Sequence, residues 1–182
     1  PLTLREKCRP GTQRVDVALV IDASTTMRDD RTSAGRPKLS AAIDAARSFV
    51  ATMSLPQDQV AVVVFNDSAS LLQELTGRRA DVEAALEKIP PLVRLQTRID
   101  LGIEKAHEEL TSSRRRPLNR PVMIVLTDGL ANPAPASTAV RRAQEAKDDQ
   151  VTIFTIGLGQ PGALDLTDLR EMASRPEYFY LA

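Results

Sequence analysis

The sequence predicts an α/β fold of three layers, doubly wound, with a mainly parallel central sheet and one antiparallel edge strand. Three observations carry this reading. Apolar runs rich in β-branched residues recur at 15–21, 60–65, 122–126 and 151–156, and runs without polar alternation read as strands covered on both faces. Segments with apolar residues three and four apart separate most of these runs, and alternating strands and helices imply a parallel sheet flanked by helices. After the run ending at Phe65, Asn66-Asp67 supplies turn chemistry, and residues 68–75 return as an antiparallel strand.

In chain order, residues 1–14 contain Pro10-Gly11 and read as an irregular lead-in or linker; residues 15–182 read as one domain without an internal boundary or repeat. The polar stretch 28–37, with Gly35 and Pro37, reads as an exposed loop. Leu39, Ala42, Ile43, Ala46, Phe49, Val50 and Met53 form the clearest amphipathic stripe, a helix limited by Pro56. Val82, Ala85, Leu86 and Ile89 mark a second helix, ended by Pro90-Pro91; Ile99, Ile103, Ala106 and Leu110 mark a third, directly after Thr97. The run Arg114-Arg115-Arg116 reads as a solvated loop. Ser137 is expected to cap a fourth helix carrying Val140, Ala143 and Ala146. Leu166, Leu169, Met172 and Ala173 belong to a fifth, and residues 178–181 to a last short strand. Gly157-Leu158-Gly159 reads as a turn, since no helix-opening glycine follows at phosphate-loop spacing.

Composition removes several function classes. Lys+Arg and Asp+Glu both number 24, so no basic excess attracts nucleic acid or an anionic membrane surface. Aromatic residues are 3% and Trp is absent, which argues against a base-stacking platform. No apolar run approaches the roughly 20 residues of a membrane helix. The chain starts at Pro1 rather than Met and reads as a fragment of a longer one. Cys8 is the only cysteine, so it makes neither an internal disulfide nor a thiolate zinc site alone; near a chain end it reads as a spectator.

The chemistry gathers at strand ends. The first run stops at Asp22-Ala23-Ser24-Thr25-Thr26, and the third stops at Thr127-Asp128-Gly129. In open α/β sheets, ligands bind at the carboxyl ends of strands. Alternate residues leaving a strand face one point, so Asp22, Ser24 and Thr26 can aim together, with Thr97 and Asp128 arriving from other segments. Two carboxylates and three hydroxyls are hard oxygen donors, suited to Mg²⁺, Mn²⁺ or Ca²⁺ rather than to zinc or copper. The plainer alternative is a cap-and-turn cluster, with Thr97 capping the third helix.

With these residues in view, the chain resembles the von Willebrand factor A domain family, the integrin I-like variant of the Rossmann-like fold. The resemblance rests on the apolar strand into Asp22-Ala23-Ser24-Thr25-Thr26-Met27, on Thr97 ahead of a helix, and on Leu126-Thr127-Asp128-Gly129. It implies a metal-ion-dependent adhesion site with Asp22, Ser24, Thr26, Thr97 and Asp128 around a divalent cation, Mg²⁺ first. Two departures stand out. Thr26 replaces the usual Ser, and Leu95-Gln96 precede Thr97 where glycines are common in the family. Such domains also often finish with a helix after the last strand, so a domain truncated at Ala182 is expected.

The resemblance implies a binding module: a partner protein's Asp or Glu completes the coordination of the ion, in an extracellular or cell-surface setting, without nucleic acid or membrane insertion. The loops 28–37 and 130–136 are expected to flank the site and set specificity. The alternatives are a metal-dependent phosphate-ester hydrolase and a subunit of an intracellular ATPase- or chelatase-type complex with cytoplasmic location. Against the hydrolase, the only histidine, His107, lies about two turns into the third helix, and Ser24 stands where an aspartyl-phosphate mechanism wants a second acid. Against nucleotide handling, the phosphate-binding Gly-x-x-x-x-Gly-Lys-Ser/Thr motif is missing.

Overall fold

The computed structural model describes residues 13–129, 131–159 and 166–182, so Cys8 and most of the lead-in lie outside it. The elements are β1 (Val15–Asp22), α1 (Thr25–Asp29), α2 (Lys38–Thr52), β2 (Gln59–Phe65), β3 (Ala69–Thr76), α3 (Arg79–Leu86), α4 (Ile99–Leu110), β4 (Arg120–Thr127), α5 (Ala136–Asp148), β5 (Thr152–Gly157), α6 (Leu166–Met172) and β6 (Phe179–Leu181).

The strands form one sheet in the order β3-β2-β1-β4-β5-β6. All neighbours are parallel except β2 and β3, which pair antiparallel at the edge. The order reverses between β1 and β4: the chain leaves β1 toward β2 on one side and later returns to β4 on the other. Their carboxyl ends therefore diverge into opposite connections and leave a crevice.

Side-chain alternation divides the two cores. From β1, Val17, Leu19 and Ile21 pack with α2 and α3, while Ala18 and Val20 face α4 on the other side. Both faces are covered, which is why the strand is apolar at every central position. The small residues have a packing use. A Cβ added at Gly102 in α4 would stand 2.7 Å from Phe65 Cδ1 and 3.0 Å from Val20 Cγ1, so glycine is what lets α4 lie this close to β1 and β2.

Three expectations need correction. The short helix α1 was not foreseen, because five residues carry no readable period. Ser137 does not cap α5: Pro135 occupies the cap position, and Ser137 is already inside the first turn. The Arg114-Arg115-Arg116 run is not merely solvated. Arg114 grips the buried Glu109, with Nη2 2.5 Å from Oε2, and Arg115 Nη1 donates to the Asn119 carbonyl at 2.9 Å. The Arg116 guanidinium holds the Pro56 and Gln57 carbonyls, and its backbone N–H donates to the buried Asp16 at 2.8 Å. The run ties the amino-terminal edge of the sheet together, away from the strand ends that carry the site.

Candidate functional site

Asp22 is the last residue of β1 and is fully buried. Its Oδ1 accepts the Ser24 backbone N–H at 2.8 Å, and its Oδ2 accepts the Thr127 hydroxyl at 2.6 Å. Both donors are neutral. Burial therefore dominates and pushes the Asp22 carboxyl up to about 6; the Thr127 and Ser24 hydrogen bonds oppose that rise, and the nearby Asp128 charge adds to it. A buried carboxylate without a cationic partner is an unmet demand for positive charge.

From Asp22 a continuous chain of oxygens leads across the crevice. Ser24 Oγ and Thr26 Oγ1 are 3.0 Å apart, and Thr26 Oγ1 donates to Asp128 Oδ1 at 2.8 Å. Ser24 occupies the cap position of α1 but makes no side-chain cap hydrogen bond, so the cap-and-turn alternative does not account for its hydroxyl. Asp22, Ser24 and Asp128 are buried, whereas Thr26 is exposed, so the cluster opens to solvent beside Thr26.

Thr97 arrives from the loop before α4. It is not the helix cap either, since Arg98 holds that position. Its backbone exchanges hydrogen bonds with Asn132, N–H to carbonyl at 2.9 Å and the reverse at 3.1 Å, which clamps it to the loop after β4. Its Oγ1 faces Gly129: a Cβ at that glycine would lie 3.4 Å away. Thr97 is thus beside the residue that follows Asp128, but among the described residues no hydrogen bond joins its hydroxyl to the Asp22–Asp128 chain. Gln96, next to it, takes φ +79°, the left-handed region that glycine enters freely. The loop keeps a glycine-like conformation without the glycine.

Two residues of the cluster went unrecognised in the sequence. Thr127 donates to Asp22 and accepts the Gly129 N–H at 3.3 Å, so it fixes both the acid of β1 and the turn after β4. Lys38, only 8% exposed, opens α2 and places Nζ 2.8 Å from Asp128 Oδ2 and 3.1 Å from Asp30 Oδ2. Burial works against its charge, but the bonds to Asp128 and Asp30 prevail and hold its pKa above the usual lysine value. One signal for Lys38 was available: a cation at a helix N-terminus opposes the helix dipole and calls for an acid close by.

The donor set fits a divalent cation. It comprises two carboxylates and the hydroxyls of Ser24, Thr26 and Thr97, all hard oxygens, and it already attracts a cationic stand-in, the Lys38 ammonium on Asp128. His107 is remote from it: on the later part of α4, its Nε2 lies 2.8 Å from Asp149 Oδ2. Gly157-Leu158-Gly159 also proves structural, with the Leu158 N–H on the Thr127 carbonyl at 2.8 Å and the Gly159 N–H on that of Ala182 at 3.0 Å.

Residues 16–182 match the family model of the von Willebrand factor type A domain. No curated protein sequence matches the chain. Among solved structures, the protein BatB from Bacteroides thetaiotaomicron superposes with a TM-score of 0.77 at 21% identity, covering 92% of this chain and 89% of that one. Proximal thread matrix protein 1 from the mussel byssus, in a form with a zinc-occupied MIDAS motif, gives 0.77 at 28% identity; 93% of this chain matches 41% of the mussel chain. The vWF domain of the type V pili tip protein Mfa5 from Porphyromonas gingivalis gives 0.77 at 16%, covering 93% and 90%.

Proposed function

Since the chain belongs to the von Willebrand factor type A domain family, we propose that it is a protein-binding module whose affinity depends on a divalent cation at the β1–β4 crevice. Asp22, Ser24, Thr26, Thr97 and Asp128 are the residues that would hold the ion, with Mg²⁺ as the first choice for an all-oxygen set. When bound, the ion supplies the positive charge on which a partner's Asp or Glu carboxylate docks. The observation that carries this reading is the oxygen chain from buried Asp22 to Asp128, open to solvent at Thr26. The zinc-occupied motif of the mussel protein supports the metal half of the reading, and leaves the identity of the ion to experiment.

This chain's residues divide the work. Thr127 and the Ser24 N–H orient the Asp22 carboxylate. Thr26 orients Asp128 and stands at the mouth. The segment 30–37, which follows α1, flanks the cluster and makes a tight turn, the Thr32 N–H bonding the Arg36 carbonyl at 2.8 Å, and with the 131–136 stretch it sets partner specificity. The reading is non-enzymatic: the general base a hydrolase needs is not supplied by His107, which is engaged by Asp149. The domain comprises residues 15–182 and works as part of a larger chain at a cell surface or outside the cell. Among the described residues no helix is long and apolar enough to cross a membrane.

The test has two arms. Titration calorimetry with Mg²⁺, Mn²⁺ and Ca²⁺ should give one site, lost in Asp22→Ala and in Asp128→Ala. With Mn²⁺ loaded, an Asp-containing peptide should reduce water-proton relaxation, while its Asn counterpart should not. No ion binding removes the metal reading; ion binding without discrimination between the peptides removes the carboxylate partner.

A further inference from the structure

Lys38 is a costly residue where it stands. Lysine is rarely buried without a partner, and a positive charge at a helix N-terminus opposes the dipole. It is nevertheless 8% exposed at the first position of α2, with its ammonium shared between Asp128 and Asp30. The two acids differ. The Asp128 side chain is fully enclosed, whereas that of Asp30 is 56% exposed. Asp128 is also one of the two carboxylates of the candidate ion site, and its Oδ2 is taken by this ammonium while its Oδ1 is taken by Thr26.

On the metal-binding reading above, we propose that Lys38 is the resident cation of the site. It neutralises Asp128 until a divalent ion claims that carboxylate, and Asp30 then retains the ammonium. Asp30 already shares the ammonium, so release from Asp128 does not leave the lysine unpaired. Two consequences follow for specificity. An ion with a single charge offers Asp128 no more than the ammonium already does, so monovalent cations are excluded. A divalent ion prevails, but only against a competitor built into the chain, and Lys38 thereby sets the concentration at which the site fills.

The experiment is calorimetric titration of the whole chain with Mg²⁺ and Mn²⁺, comparing the unaltered protein with Lys38→Met, Asp30→Asn and the double variant. Lys38→Met should bind roughly 10–100-fold more tightly, the scale on which groups bonded to metal ligands act. Asp30→Asn should weaken binding in the presence of Lys38, and much less in its absence. Asp29→Asn is the control for simple loss of negative charge, because Asp29 is as exposed as Asp30 but pairs with Arg28. If Lys38→Met is too unstable to titrate, the contrast between Asp30→Asn and Asp29→Asn carries the test. Equal effects of those two, or unchanged or weaker binding by Lys38→Met, overturns the proposal while leaving the ion site intact. Binding by neither protein removes both readings.

Discussion

Thr26 donates its hydroxyl to Asp128 Oδ1 at 2.8 Å across a sequence separation of 102 residues, joining the turn after β1 to the end of β4. The same hydroxyl lies 3.0 Å from Ser24 Oγ, so one atom connects both halves of the cluster. The β-methyl of threonine takes no part in either contact. Thr26→Ser should therefore keep divalent-ion affinity within about threefold, whereas Thr26→Val should lose at least tenfold, on the scale of displaced metal ligands and their partners. Because Thr26 is exposed, the stability change in Thr26→Val should be only about 1 kcal/mol, that of one hydrogen bond. Parallel calorimetric and denaturant titrations check both; equal ion affinities for the two variants would remove Thr26 from the site.

Asp22 makes stability fall as pH rises. Its carboxyl is pushed up to about 6 from 3.8, so between those values the folded chain binds more protons than the unfolded one. The group's stabilising contribution is complete below pH 3.8, declines through this window and is gone above about 6, a difference of about 3 kcal/mol. In chelator, Asp22→Asn should be more stable than the unaltered protein at pH 7, and the advantage should shrink toward pH 4. Urea unfolding at both pH values measures this difference, in which the titrations of the other carboxylates cancel. A less stable Asp22→Asn at pH 7 would mean that its lost hydrogen bonds outweigh the buried charge.

Gln96 occupies the left-handed region at φ +79° immediately before Thr97. That conformation costs a non-glycine residue about 1–2 kcal/mol, and glycine gives back about 0.5–1 kcal/mol through its freer unfolded state. Gln96→Gly should stabilise the domain by up to about 1.5 kcal/mol without moving β1 or β4. Thermal unfolding reads the gain, and a loss of stability would show that the Gln96 side chain makes a compensating contact.

Gly102→Ala should do the reverse. The general gain for alanine over glycine inside a helix is about 1 kcal/mol. Here the added methyl would stand 2.7 Å from Phe65 Cδ1, and Phe65 is fully buried with no room to yield. Overpacking costs about 1–3 kcal/mol, so net destabilisation of up to about 2 kcal/mol is expected in a denaturant titration. A more stable variant would show that α4 can move off the sheet.

Much of this was legible because it is local. The run at 15–21, apolar at nearly every position, reads as a buried strand without knowledge of its neighbours, and the stripe Leu39–Ala42–Ile43–Ala46–Val50 reads as a helix from spacing alone. The abrupt change to Asp22-Ala23-Ser24-Thr25-Thr26 places carboxylate and hydroxyls at a strand end, where ligands gather. Leu95-Gln96 stand where glycines are common in the family, and Gln96 bears the glycine-like conformation itself.

What the chain's order of residues determined by itself was therefore which residues form strands and helices, and which oxygens stand at their ends, because hydrophobic period and turn chemistry act over a few residues. Only the tertiary structure decided what those oxygens touch. That Thr127 supports Asp22, that Arg116 anchors Asp16 at the opposite edge, and that Lys38 occupies Asp128 all depend on groups about 90–105 residues apart meeting at under 3 Å. Hydrogen bonds and buried charges are decided by distances of tenths of an ångström, and no periodicity in a sequence carries that information.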